Sequence, residues 1–236
     1  MLKNIFVVAL LAGFVSGAGI SLVQQVTTTP LILHAETYEQ AATSTGSFVR
    51  VAYTLVHVGE THEGAQAAWG PENGLERFGF TALANILLGV GFALLLVASY
   101  VLYAKPVTGR TGVVWGMAGF AIFVLSPSLG LAPEVPGSFA AELTARQGWW
   151  LAAAGTAALG LWLMVFGKGR LYIIAGILIM AAPHLIGAPH PQEMGGPVPA
   201  ELAGQFAAAS LVTAAIFWAM LGWLSGTFYH RIEVED

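Results

Sequence analysis

Charge is scarce in this sequence. Of 236 residues only 9% are Asp, Glu, Lys or Arg, while 56% are hydrophobic. A soluble domain carries about a quarter charged residues, so this chain does not have the polar groups to cover its own surface in water. Lipid must solvate most of it. Cysteine is absent, which excludes disulfides, thiolate metal sites and thiol catalysis. No G-x-x-x-x-G-K-[ST] loop occurs, so the chain contains no P-loop ATPase. It also lacks HExxH, because His62-Glu63 is followed by Gly64, Ala65 and Gln66. No nucleophile–base motif of a hydrolase is present, and no enzyme activity is expected. No tightly bound cofactor is expected either. Haem between two histidines is disfavoured because no His sits mid-helix, and no nucleic-acid partner is expected.

What remains is long apolar runs. Six segments approach the roughly 20 residues that cross about 30 Å of hydrocarbon: 4–23, 78–103, 112–131, 149–166, 171–186 and 202–229. Their continuity excludes the short alternating strands of a barrel, and the 29 glycines suit membrane helices. Trp149, Trp150, Tyr172, Trp223 and Tyr229 fall near segment ends, where an interfacial aromatic belt belongs. The expected fold is therefore an all-α polytopic integral membrane protein with six transmembrane helices in a single transmembrane domain over 1–236. It has one long extracytoplasmic loop, 25–76.

The first segment also reads as a signal peptide, with Lys3 before the apolar stretch and Ser16-Gly17-Ala18 as a cleavage site. Five spans would then remain. A retained helix is favoured because the apolar run continues through Ile20, Leu22 and Val23.

The basic residues set the orientation. With the N-terminus cytoplasmic, Lys3, Lys105, Arg110, Lys168, Arg170 and Arg231 are inside, and only Arg50, Arg77 and Arg146 are outside. Both termini are thus expected in the cytoplasm. Small residues recur four apart at Gly13 and Gly17, Gly112 and Gly116, and Gly222 and Gly226. Each pair makes a groove for another helix. Packing within one bundle explains these grooves, with homo-oligomer or partner contact as the other use.

Ten of the thirteen acids fall on the outer side by this orientation, and so do five of the six histidines, His34, His57, His62, His184 and His190. An acidic face concentrates cations in a salt-dependent way. The densest group is His57-Val-Gly-Glu60-Thr-His62-Glu63. Without cysteine, imidazole and carboxylate are the ligands available for divalent cobalt, nickel, zinc or iron. The candidate metal ligands are therefore His34, His57, Glu60, His62, Glu63, His184 and His190. Each single histidine also reads as a solvated loop residue, and His184, after Pro183, as an interfacial residue bonded to a neighbour. The spans hold no charge at mid-depth. Their polar residues are Thr81, Asn85, Ser126 and Gln205, so no intramembrane proton relay is visible.

Several strings carry a family resemblance: Leu33-His-Ala-Glu-Thr-Tyr-Glu39, Ala68-Trp-Gly-Pro-Glu-Asn-Gly-Leu-Glu-Arg77, Leu83-Ala-Asn85 and Ala132-Pro-Glu-Val-Pro136. Others are Ala145-Arg-Gln-Gly-Trp-Trp150, Pro183-His-Leu-Ile-Gly-Ala-Pro-His190, Val198-Pro-Ala-Glu201-Leu202 and Ala209-Ser-Leu-Val-Thr213. Together they resemble the CbtA family of predicted cobalt transporter subunits over most of the chain. The resemblance implies a permease component in a bacterial-type inner membrane, tied to cobalt and cobalamin supply, with cobalt as the transported ion. It also implies a small single-span partner of the CbtB type bearing a His-containing segment. The first outer loop has fewer histidines here than is usual in the family, which implies that capture is weaker or shared with the partner. Nickel and zinc use the same ligands as cobalt. The competing reading, from another class, is a non-transporting metal-binding or assembly subunit.

Overall fold

The computed structural model describes residues 2–44, 70–192 and 195–235. These residues are helical with no strand among them. The helices are α1 (Leu2–Val26), α2 (Thr28–Ser44), α3 (Leu75–Tyr103), α4 (Gly109–Ser128), α5 (Leu143–Phe166), α6 (Arg170–Ile186) and α7 (Ala200–Glu235). Five of them, α1, α3, α4, α5 and α7, are long and apolar enough to cross a membrane. The fifth expected span, α6, has only 17 residues, about 25 Å at ~1.5 Å per residue; it packs beside the longer α5, with Gly160 against Gly176, and falls short of the other five.

The helices alternate in direction. Gly13 meets Gly89 and Val90 while Gly17 meets Ile86, so α1 and α3 are antiparallel. Gly19 lies by Met220 and Thr27 by Thr213, which makes α7 antiparallel to α1. Both termini therefore sit at one end of the bundle. The turns at 104–108 and 167–169 share that end, and with them all six basic residues assigned inside. Arg77 and Arg146 sit at the other end, here called the loop end.

Local chemistry sets the helix boundaries. Pro30 has no N–H for the Val26 carbonyl, and its ring crowds that carbonyl, so the chain breaks at Thr27 between α1 and α2. Thr108 and Thr111 form a reciprocal capping box at the start of α4. Glu142 caps α5 by accepting from the Thr144 and Ala145 amides at 2.8 and 2.7 Å. Those two bonds hold its carboxyl below the ordinary carboxylate range. Gly169 turns α5 into α6 at φ 104°, a conformation that favours glycine.

In α4 the turn Ala121–Leu125 is π-helical. Pro127 explains it, because proline leaves the carbonyl four residues back, on Phe123, without a donor and sterically displaced. The wider turn puts Phe123 and Val124 towards the middle of the bundle.

The tightly packed core occupies the half nearer the termini. Val8, Ala9 and Ala12 of α1 pack there with Ala93, Val97 and Tyr100 of α3 and Trp218 and Leu221 of α7. Tyr100 Oη and Ser225 Oγ share a hydrogen bond of 2.9 Å. α1 runs unbroken through Ser16-Gly17-Ala18 with Ser16 and Gly17 buried, so the first segment is a helix of the bundle with one face packed inward and the other bare. The three small-residue pairs find their partners inside the chain: Gly112 and Gly116 face Gly222 and Gly226, and Gly13 and Gly17 face α3. The outward faces are apolar and bare, with Leu102 86%, Leu171 80% and Ile186 84% exposed. Such a belt requires lipid.

The segment 25–76, expected as a loop, begins with a helix. α2 packs Ala35 against Val135 and Leu202, with Leu31, Tyr38 and Phe206 around them. It forms a cap over the loop end.

Candidate functional site

Of the seven candidate metal ligands, His57, Glu60, His62 and Glu63 lie outside the described residues. His34 is exposed on α2, with its ring against Tyr38 at 5.4 Å. His184 is half-buried, with Nε2 3.3 Å from Ser126 Oγ and its ring edge-on to Trp149. Trp149 Nε1 in turn donates to the Pro183 carbonyl at 3.2 Å. His190 is exposed and lines a shallow cavity of about 340 Å³ together with Glu134 and Ser138. Among the described residues no three His, Asp or Glu side chains are placed to hold one metal ion.

The acids at the loop end are partly committed to other partners. Arg77 grips Glu36 with both terminal nitrogens, Nη1 at 2.6 Å and Nη2 at 3.3 Å. Arg146 donates to Glu134 at 2.8 Å. Glu76 accepts from the Glu72 amide. Glu36 thus serves first to neutralise Arg77, which narrows its part in attracting cations.

A larger cavity of about 690 Å³ begins at this end. Its mouth is set by Pro71, Arg77 and the start of α2, and its walls come from α1, α3 and α7. Phe92, Val124, Phe217 and Trp218 lie at its deepest point. From Arg77 to Phe92 is about 22 Å along α3 at ~1.5 Å per residue, compared with roughly 30 Å of hydrocarbon. The cavity therefore reaches well past mid-depth. Below it the aromatic rings close up: Trp218 packs on Phe92 with centroids 4.7 Å apart and stacks on Phe123 at 5.8 Å.

The walls are apolar with uncharged polar insertions. Asn85 and Thr81, both noted from sequence, line it, and so do Gln24, Ser210 and Thr213. Gln24 was not singled out from sequence, and Ser210 and Thr213 appeared there only within a string that carries the family resemblance. Gln24 fell just past the expected end of the first span, at 23, whereas α1 continues to Val26. Of the other polar span residues, Ser126 meets His184, and Gln205 faces outward on α7.

Five apolar helices of spanning length, alternating in direction and with a cavity that begins at the loop end, define a polytopic α-helical membrane protein. A family model described as probable cobalt transporter subunit (CbtA) matches residues 2–230. The chain belongs to that family and is a membrane transporter subunit by class. No curated protein and no solved structure matches it.

Proposed function

We propose that this chain is the membrane subunit of a cobalt uptake transporter of a bacterial-type inner membrane, and that it takes the ion from the loop end, which faces outward. The observation that carries this reading is the 690 Å³ cavity, which enters from the loop end and stops at a wall of aromatic rings beyond mid-depth. A subunit that only bound metal or held an assembly together has no need of such an entry. The distribution of charge supports the orientation: all six basic residues assigned inside lie at the termini end, as the positive-inside bias requires.

Capture falls to the outer imidazoles and carboxylates. His34, His57, Glu60, His62 and Glu63 replace part of the ion's water on arrival, and His184 and His190 lie where the loops meet the bundle. A second subunit completes the transporter, as the family description implies, and a small His-bearing single-span protein of the CbtB type suits that role. The test is cobalt accumulation under cobalt limitation in cells expressing this chain with that partner. Accumulation equal to that of empty cells would refute the transport reading.

Capture by imidazole has its own signature. A ligating histidine binds metal as the neutral ring, so protons compete with the ion. At about pH 5.5 an imidazole near its reference pKa of ~6.5 is mostly protonated, whereas a carboxylate near ~4.3 is still mostly ionised. Acidifying the outside to that pH is expected to weaken metal uptake several-fold in the wild type. Replacing His57 and His62 together by Ala should flatten the response. The measurement is half-saturating cobalt against outer pH; an unchanged profile in the double variant would remove these two histidines from capture.

A further inference from the structure

The large cavity has an unusual balance of charge for an ion path. Arg77 is the one charged residue among its described lining, and Glu36 neutralises it at the mouth. Below that point every polar group is an amide or a hydroxyl.

Hydrogen bonds fix the direction of the deepest amide. Ser21 Oγ donates to the Gly17 carbonyl at 2.7 Å, so towards Asn85 it can only accept. Asn85 Nδ2 donates to that oxygen at 3.0 Å and to Gln24 Oε1 at 2.6 Å. Both amide hydrogens are thereby used, and Oδ1 is left as the acceptor of a residue that lines the cavity. Thr81 lies one turn away on the same face of α3. Ser210 and Thr213 stand opposite on α7, also in the lining.

We infer that this cavity is where the transported divalent cation rests during passage. The ion is partly hydrated, and Asn85 Oδ1 with the hydroxyls of Thr81, Ser210 and Thr213 take the place of, or bind, its inner waters. This inference rests on the transport reading above and names the oxygens that serve it. Water occupies about 30 Å³ per molecule in the liquid, so the volume accommodates roughly twenty waters, enough for an ion with its shell. Neutral oxygens suit such a stage. Passage requires binding strong enough to enter and weak enough to leave, and a carboxylate at this depth would hold a dication too firmly. On this reading, the lack of charge within the spans reflects the need to release the ion.

Equilibrium dialysis of radioactive Co²⁺ against the purified full-length chain tests the site. Asn85→Asp keeps the side-chain size, and Gln24 can turn its Nε2 to meet the new carboxylate, so the α1–α3 tie persists. That variant is expected to bind Co²⁺ at least tenfold more tightly than wild type, and to accumulate it more slowly in cells because release is delayed. Asn85→Leu is expected to weaken binding tenfold or more. An N85D protein that binds no more tightly than wild type overturns the site, whatever N85L does to folding. Failure of wild-type cells to accumulate cobalt would overturn transport instead, and the dialysis would still decide whether the cavity holds the ion.

Discussion

Replacing Gly116 by leucine is expected to abolish the folded protein. Gly112 and Gly116 on α4 lie directly against Gly222 and Gly226 on α7, so closely that a Cβ on Gly116 would stand 3.0 Å from the Gly222 Cα and collide with the Trp218 carbonyl. The obstacles are main-chain atoms, which cannot rotate aside as a flexible side chain can. α7 cannot retreat either, because α1 packs against it along Gly19, Met220 and Thr213. Overpacking by a few methylenes in a tight core costs about 1–3 kcal/mol and sometimes more. Gly116→Ala belongs in that range, and leucine beyond it.

Gly116→Ala and Gly222→Ala act on the same seam, so the double variant is expected to cost less than the two single costs combined: once the helices have parted, the second methyl meets less resistance. Gly155→Ala is the control, since nothing lies within 4 Å of a Cβ built there. Thermal unfolding in detergent, followed by size-exclusion chromatography, reads all five variants. A G116L protein that melts and elutes like wild type would show that α4 and α7 do not meet along this line.

Much of the fold is legible in the sequence because lipid imposes a simple rule. A helix must be apolar over a fixed length, and its ends gather aromatic and basic residues. All six apolar segments are therefore helices, although only five are long enough to span and α6 is not, and the sorting of Lys3, Lys105, Arg110, Lys168, Arg170 and Arg231 to one end is realised. α2 was not found because its composition is polar, with Glu36, Glu39 and four threonines hiding the helical spacing of Leu31, Ala35 and Tyr38 that packs it down. The three glycine pairs were read correctly as grooves, and the structure shows that their partners lie within the chain.

The site was harder to read. Thr81 and Asn85 were visible as polar residues in an apolar helix, yet the absence of charge around them looked like the absence of a path. The cavity draws its oxygens from α1, α3 and α7, with Gln24 and Asn85 already 61 residues apart in sequence and Thr213 much further on, and only the tertiary arrangement brings the three to one space. The charged residues misled in the opposite sense. Glu36 looked like part of a cation-attracting face, whereas its first partner is Arg77.

The barrier below the cavity gives the second large effect. Trp218 is only 2% exposed, with Phe92 on one side and Phe123 on the other, the latter nearly parallel at 4°. Gly119 makes room for it, because a Cβ there would collide with the indole ring. Beneath Trp218 lie Leu221, Val97 and Tyr100, fully buried, which seal the half nearer the termini. Truncating a buried aromatic of this size costs about 3–5 kcal/mol, more where the surroundings cannot collapse into the space. The glycine seams that lock α4 to α7 and α1 to α3 prevent such collapse. Trp218→Ala is therefore expected to leave a void continuous with the cavity and to thin the barrier that separates it from the termini end. Cells loaded with radioactive cobalt and moved to metal-free medium should lose it much faster through this variant, and net accumulation should fall tenfold or more. Trp218→Phe keeps an aromatic ring between Phe92 and Phe123 and should retain most of the wild-type accumulation. If the alanine variant reaches the membrane in normal amount and retains cobalt like wild type, the barrier to the ion lies elsewhere than at this aromatic stack.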